Sequence, residues 1–217
     1  MDSQAATGSR SNSPDAVIDF PNASARLGRV NSRPADEDLM LRYVAGDATA
    51  FEQLYARHRG GLFRYITRQC GDRGAAEELY QDVWSGVVEA RKRYRVEARF
   101  ATWLYTLAHN RLVDWYRKSS RVVWVDFGGD EDEPEIDIAA QRQWQPEVRT
   151  ESRQLAQAML ALIAALPPQQ RDAFLLHEEG GLSIEEIAAA TGAGIETAKS
   201  RLRYAVAKLR LGLQDLT

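Results

Sequence analysis

From Phe100 to Lys118 one helical pattern carries Trp103, Tyr105, Asn110, Arg111, Trp115, Tyr116, Arg117 and Lys118 among aliphatic residues. Packing alone would be served by aliphatic side chains. Cations beside rings and amides suit a different task. Guanidinium and ammonium groups grip phosphates, and aromatic faces hold unstacked bases. A second basic cluster lies near the C-terminus, where Thr197, Lys199, Ser200, Arg201, Arg203 and Tyr204 fall close together. These side chains offer recognition rather than bond making. The three histidines and the single cysteine form no cluster at ligand spacing, so neither metal nor cofactor is expected. A nucleophile elbow, a phosphate-binding loop and a paired-carboxylate pattern are all missing, which argues against an enzyme.

Charge divides the chain into surfaces. The net charge of −3 over 217 residues hides strong local asymmetry. Arg91 to Arg121 holds nine basic residues against Glu97 and Asp114, a net +7. Val122 to Ala140 holds seven acids and no Lys or Arg, a net −7. Opposite blocks side by side imply separate partners. A lone Cys70 excludes an internal disulfide framework and fits a reducing compartment. The longest aliphatic run, Met159 to Leu166, falls far short of the roughly 20 residues that span a bilayer. The N-terminus shows no basic segment leading into an apolar core. A cytoplasmic protein without membrane insertion is expected.

The elements that must position these residues are helical. Residues 1–34 are rich in Ser, Ala, Asn and Arg without sustained periodicity, and are expected to be a disordered tail. Asp36-Glu37-Asp38 opens a first helix with acids suited to its dipole. Spacings of three and four predict further helices over Ala50–Gln69 and Ala75–Ala90, then the aromatic helix ending near Ser119. Residues 35–121 thus form one small all-α domain. Residues 122–146 form an acidic, flexible linker, in which Val122–Val125 is the only weak strand candidate. Residues 147–217 form a second all-α domain, with helices over Glu147–Ala165, Pro168–Glu178, Ser183–Thr191 and Ile195 to about Leu211.

The last two helices read as a helix-turn-helix. Ser183 and Glu186 make a capping box, Ala188 permits close approach, and Gly192 suits the turn. Ile195, Ala198, Leu202, Ala205 or Val206, and Leu209 face inward, leaving the basic cluster for a major groove.

In combination and in order, four motifs resemble those of a bacterial extracytoplasmic-function (ECF) sigma factor, a dissociable specificity subunit of RNA polymerase. They are Ala50–Tyr55; Ala76–Trp84; Phe100–Tyr105 through Asn110; and Leu166-Pro167 followed by Gly181–Ala188 and Thr197–Leu202. The resemblance spans roughly Asp36 to Leu211. It implies that Glu78, Gln81, Asp82 and Trp84 dock on the clamp helices of the polymerase's largest subunit, with the indole as central anchor. It also implies that the Arg91–Arg99 loop and the following helix open the −10 promoter element. Tyr94, Phe100 and Asn110 would receive or read a base of the non-template single strand. Arg95, Arg99, Arg111, Arg117 and Lys118 would hold its phosphates. Thr197, Lys199, Ser200, Arg203 and Tyr204 would read the double-stranded −35 element, with Arg201 as a phosphate clamp. The linker would run towards the polymerase channel as a polyanion mimic, and an anti-sigma factor is a further partner of many members. Trp103, Leu104 and Leu107 are expected in the core.

Two departures stand out. Ala198 sits where the family more often has Val, and His177–Gly181 only loosely matches the usual approach to the helix-turn-helix. A rival reading is an autonomous dimeric regulator that binds DNA without polymerase. It leaves Ala76–Trp84 without a task.

Overall fold

A computed structural model describes residues 34–119 and 151–214. The tail before Pro34, the acidic linker with its strand candidate, and the expected helical start at Glu147 lie outside the described residues. Those described form α1 (Asp36–Val44), α2 (Ala48–Cys70), α3 (Arg73–Ala90), a 3-10 turn (Arg91–Arg93) and α4 (Phe100–Ser119), followed by α5 (Glu151–Ala165), α6 (Pro168–Gly180), α7 (Ile184–Thr191) and α8 (Ile195–Gln214). Among the described residues there is no strand.

Local chemistry sets the helix starts. The Asp47 carboxylate accepts from the backbone N–H groups of Thr49 (3.0 Å) and Ala50 (3.3 Å), so it caps α2. Thr49 Oγ1 and the Arg42 guanidinium donate to the same carboxylate, at 2.6 Å each. The Thr49 and Arg42 hydrogen bonds hold its pKa down at about 2. A depressed folded-state pKa gives stability above the ordinary value of 3.8 and loses it as pH falls through the folded value. Wild type and Asp47→Ala are therefore expected to differ in thermal midpoint at pH 7. The gap should close as pH falls from 3.8 through about 2, followed by circular dichroism. A gap independent of pH would remove the carboxylate from the cap.

The acids of α1 do more than suit a dipole. Asp36 pairs with Arg57 at 2.5 Å and His58 at 2.7 Å, tying α1 to α2. Burial works against the Asp36 carboxylate, but these two partners outweigh it and lower its pKa. Glu37 accepts the Phe100 N–H at 2.6 Å, placing an acid at the start of α4.

Around this frame α1 to α4 enclose Leu39, Leu54, Leu62, Ile66, Val83, Val87, Leu104 and Leu112, all nearly or fully buried. Helix α6 departs from simple amphipathicity. Its residues Asp172, Ala173, Phe174, Leu175 and Leu176 are all buried, because α8 packs on one side and α2 on another. The turn Ala173–Leu176 is apolar on every side, and such a stretch belongs inside. The helices before and after the linker therefore share one compact unit, Pro34–Thr217.

Candidate nucleic-acid interface

Three faces carry the predicted side chains. On α3, Glu78, Gln81 and Asp82 are exposed at helical spacing, and Glu89 extends the acidic stripe two turns on. Trp84 lies beneath them rather than on them, only 7% exposed. Its ring meets Tyr55 at 4.9 Å, Phe51 at 5.8 Å and Tyr80 at 6.3 Å, all in edge-on geometry. The indole therefore supports the acidic face from inside, rather than standing on it as the central anchor that the resemblance implied.

The second face belongs to the basic loop and α4. Arg95, Arg99, Asn110, Arg111, Arg117 and Lys118 are exposed, the last four along one side of α4. Tyr94 and Phe100 are not available there. Tyr94 is 5% exposed and Phe100 fully buried, and Phe100 packs on His58 at 5.2 Å. Burial pushes the Tyr94 phenol up to about 12, so it stays protonated. In this arrangement neither ring offers a face to a base. Trp103, expected in the core, is instead only partly buried, packed edge-on against Tyr94 at 5.2 Å. It is the ring at the margin of the basic loop that still reaches solvent. Leu104 is buried as expected, while Leu107 is only partly covered.

The third face is α8. The Ser183–Glu186 capping box is formed in both directions, and Gly192 turns the chain at φ +70°, a left-handed conformation that favours glycine. Ala198, Ala205 and Leu209 are buried as the pattern requires. Thr197, Lys199, Arg203 and Tyr204 are exposed, while Ser200 and Arg201 are half-buried. The Arg203 guanidinium lies 5.0 Å from the centre of the Tyr204 ring, and Lys199 lies 3.4 Å from Glu196. Ile195, expected inside, is 53% exposed at the first residue of the helix.

Sequence reasoning missed a set of polar residues that join α2 and α4 to α6 and α7. Asp172 is the clearest, with a side chain only 3% exposed. It accepts from Tyr65 Oη at 2.7 Å and Gln69 Nε2 at 2.6 Å, and its other oxygen lies 3.0 Å from His109 Nδ1. The available signal was a carboxylate directly before the apolar run Ala173-Phe174-Leu175-Leu176. Glu186 also has a second role. Besides capping α7 it accepts from Thr102 Oγ1 at 2.7 Å and Arg99 Nη1 at 3.1 Å. Burial opposes its charge, but the hydrogen bonds from Ser183, Thr102 and Arg99 prevail and lower its pKa.

A helical bundle that ends in a capped helix-turn-helix and carries a separate basic helix defines a class: the DNA-binding proteins of transcription. Comparison with known proteins narrows this. Residues 54–122 match the model for Sigma-70 region 2, and residues 156–209 match that for Sigma-70, region 4. The chain is 31% identical to RNA polymerase sigma factor CarQ of Myxococcus xanthus, over 82% of this chain and 97% of CarQ. It is also 31% identical to the ECF RNA polymerase sigma factor SigK of Mycobacterium sp. (strain KMS), over 81% of this chain and 89% of SigK. Its fold resembles the sigma factor RpoE of Bartonella quintana, solved in complex with the anti-sigma factor NepR. That likeness has a TM-score of 0.56 at 24% identity and covers 76% of this chain and 96% of RpoE. The chain belongs to the ECF sigma factors of RNA polymerase, and its function is in transcription initiation.

Proposed function

We propose that residues 35–121 bind core polymerase and open the −10 element, and that residues 147–217 read the −35 element. The observation that carries this reading is the separation of an acidic stripe on α3 from basic faces on α4 and α8. Exposed Glu78, Gln81 and Asp82 suit a basic partner, the clamp helices of the largest subunit. Arg95, Arg99, Arg111, Arg117 and Lys118 suit the phosphates of the melted strand, with Asn110 and Trp103 beside them for bases. Lys199, Arg203 and Tyr204, with Thr197, Ser200 and Arg201 around them, suit duplex edges and phosphates. Tyr94 and Phe100 support the loop from behind.

RNA synthesis itself is left to the polymerase, and the protein acts in the cytoplasm without a cofactor. No helix among the described residues is long and apolar enough to cross a membrane. An anti-sigma factor is a further partner, supported by the complex in which RpoE was solved.

Asp82→Arg is expected to weaken capture by core polymerase at least about tenfold, because it sets a like charge against a basic partner. Helical content should not change, since Asp82 is exposed. Pull-down with purified core enzyme and run-off transcription read this outcome. Unchanged affinity would move the docking face off α3. Tight, specific gel shifts of promoter DNA without polymerase would favour the autonomous dimeric regulator instead.

A further inference from the structure

Along α8 the apolar residues spaced to face inward do not all go inside. Ala198, Ala205 and Leu209 are buried, and Leu202 and Val206 pack against the same core. Ile195, the first residue of the helix, stands 53% exposed. It is also held in place. The Ala198 N–H bonds to the Gly194 carbonyl at 2.9 Å, so regular helix begins at Ile195 itself. A β-branched side chain on such a backbone has little χ1 freedom left to lose on binding. The turn in front carries no bulk, since Gly192 and Gly194 are both exposed.

The neighbours give this side chain a place in a pattern. Ile195, Lys199 and Arg203 recur every four residues, so they lie in one row along the flank of α8. Eight residues of helix rise about 12 Å, or roughly three to four base-pair steps, so one short stretch of groove takes the whole row. Lys199 and Arg203 are exposed cations, suited to a phosphate and a base edge. Ile195 can serve neither purpose. Single exposed aliphatic residues are common on protein surfaces and by themselves say nothing. This one heads a row of DNA readers, at the end of a recognition helix that contacts base edges.

Groove chemistry then limits what Ile195 can read. An aliphatic side chain laid over a base donor or acceptor strips its water and returns no hydrogen bond. The apolar feature of the major-groove floor is the 5-methyl group of thymine, which cytosine lacks. Contact between that methyl and an aliphatic side chain removes two apolar surfaces from water at once. The same residue therefore favours one base and penalises the others. We propose that Ile195 is a specificity-determining residue of α8, packing on the 5-methyl group of a thymine and so selecting an A·T pair within the −35 element. This rests on the assignment of α8 to that element.

The test uses the full chain assembled with core polymerase, on a promoter duplex that the complex transcribes. In the −35 segment each thymine, on either strand, is replaced in turn by deoxyuridine. That change removes the 5-methyl group and leaves every hydrogen-bonding group of the base. Wild-type affinity should fall about fourfold at one position, the worth of withdrawing one methyl-sized group from water. Ile195→Ala should weaken binding to the thymine duplex by a similar factor. It should then respond less than about 1.5-fold to the same replacement, which closes a double-mutant cycle. Ile195→Val keeps a branched tip at the groove and should retain the response. Both variants should fold normally by circular dichroism, since the side chain is exposed. Wild type indifferent to every replacement would overturn the proposal. So would a −35 segment without an A·T pair, or an Ile195→Ala protein that keeps the full response. A wild-type complex that binds the promoter no better than unrelated duplex would instead condemn the −35 assignment itself.

Discussion

Trp84→Ala is expected to cost the protein about 3–5 kcal/mol of folding stability, the range for removing a buried aromatic. The indole is the centre around which Phe51, Tyr55 and Tyr80 arrange themselves between α2 and α3. No neighbouring side chain can fill its volume without leaving its own site. A loss of that size is a large share of the 5–15 kcal/mol that holds a typical domain together. Chemical denaturation should show a lower midpoint with an unchanged slope. Polymerase capture should fall in proportion to unfolding. The comparison with Asp82→Arg is decisive, because that exposed change should weaken capture while leaving the midpoint alone. If Trp84→Ala instead kept its stability and lost only capture, the indole would be a direct contact and the buried-hub role would fail.

That contrast marks where the sequence could be read and where it could not. Helices α2, α3, α4 and α8 follow from spacings of three and four, and their observed bounds lie within three residues of those expected. The capping box and the Gly192 turn were equally legible, because their partners sit within a few residues. Contacts across long separations were not. Tyr65 and Asp172 are 107 positions apart, and nothing local in Gln170–Leu176 says that a second helix covers the carboxylate. An acid on a helix reads as surface until its donors are known. Aromatics near the basic loop posed the opposite problem. Rings that can stack on a base are chemically the same as rings that fill a core, so Tyr94, Phe100, Trp84 and Trp103 could not be sorted by type. Only the packing of α1 and α2 onto α4 puts Phe100 inside and leaves Trp103 at the margin. The three faces were legible as charge patterns, but their supports were not.

Lys199→Ala and Arg203→Ala are each expected to weaken binding to a −35 duplex, Arg203→Ala by about ten- to a hundredfold, since a good base contact is worth about 1–3 kcal/mol. Both side chains are exposed on α8 and contribute nothing to its buried seam of Ala198, Ala205 and Leu209, so folding should not change. The two need not act alike. The Arg203 guanidinium is already placed beside the Tyr204 ring, with Nη2 donating to the phenol oxygen at 3.3 Å. That contact limits its rotamers, which suits a planar fork reading a base edge. Lys199 is a mobile point charge lightly held by Glu196, which suits a phosphate. Titrations at several salt concentrations separate these roles. Loss of a phosphate contact should lower the slope of log affinity against log salt by about one and weaken all sequences alike. Loss of a base contact should relax preference at one position. Arg203→Lys sharpens the test, because it keeps the charge and removes the fork. If it restores full discrimination, Arg203 holds a phosphate. If it remains as impaired as Arg203→Ala, the fork itself reads the base. In either case the complex with core polymerase should form normally, because the acidic stripe on α3 is untouched.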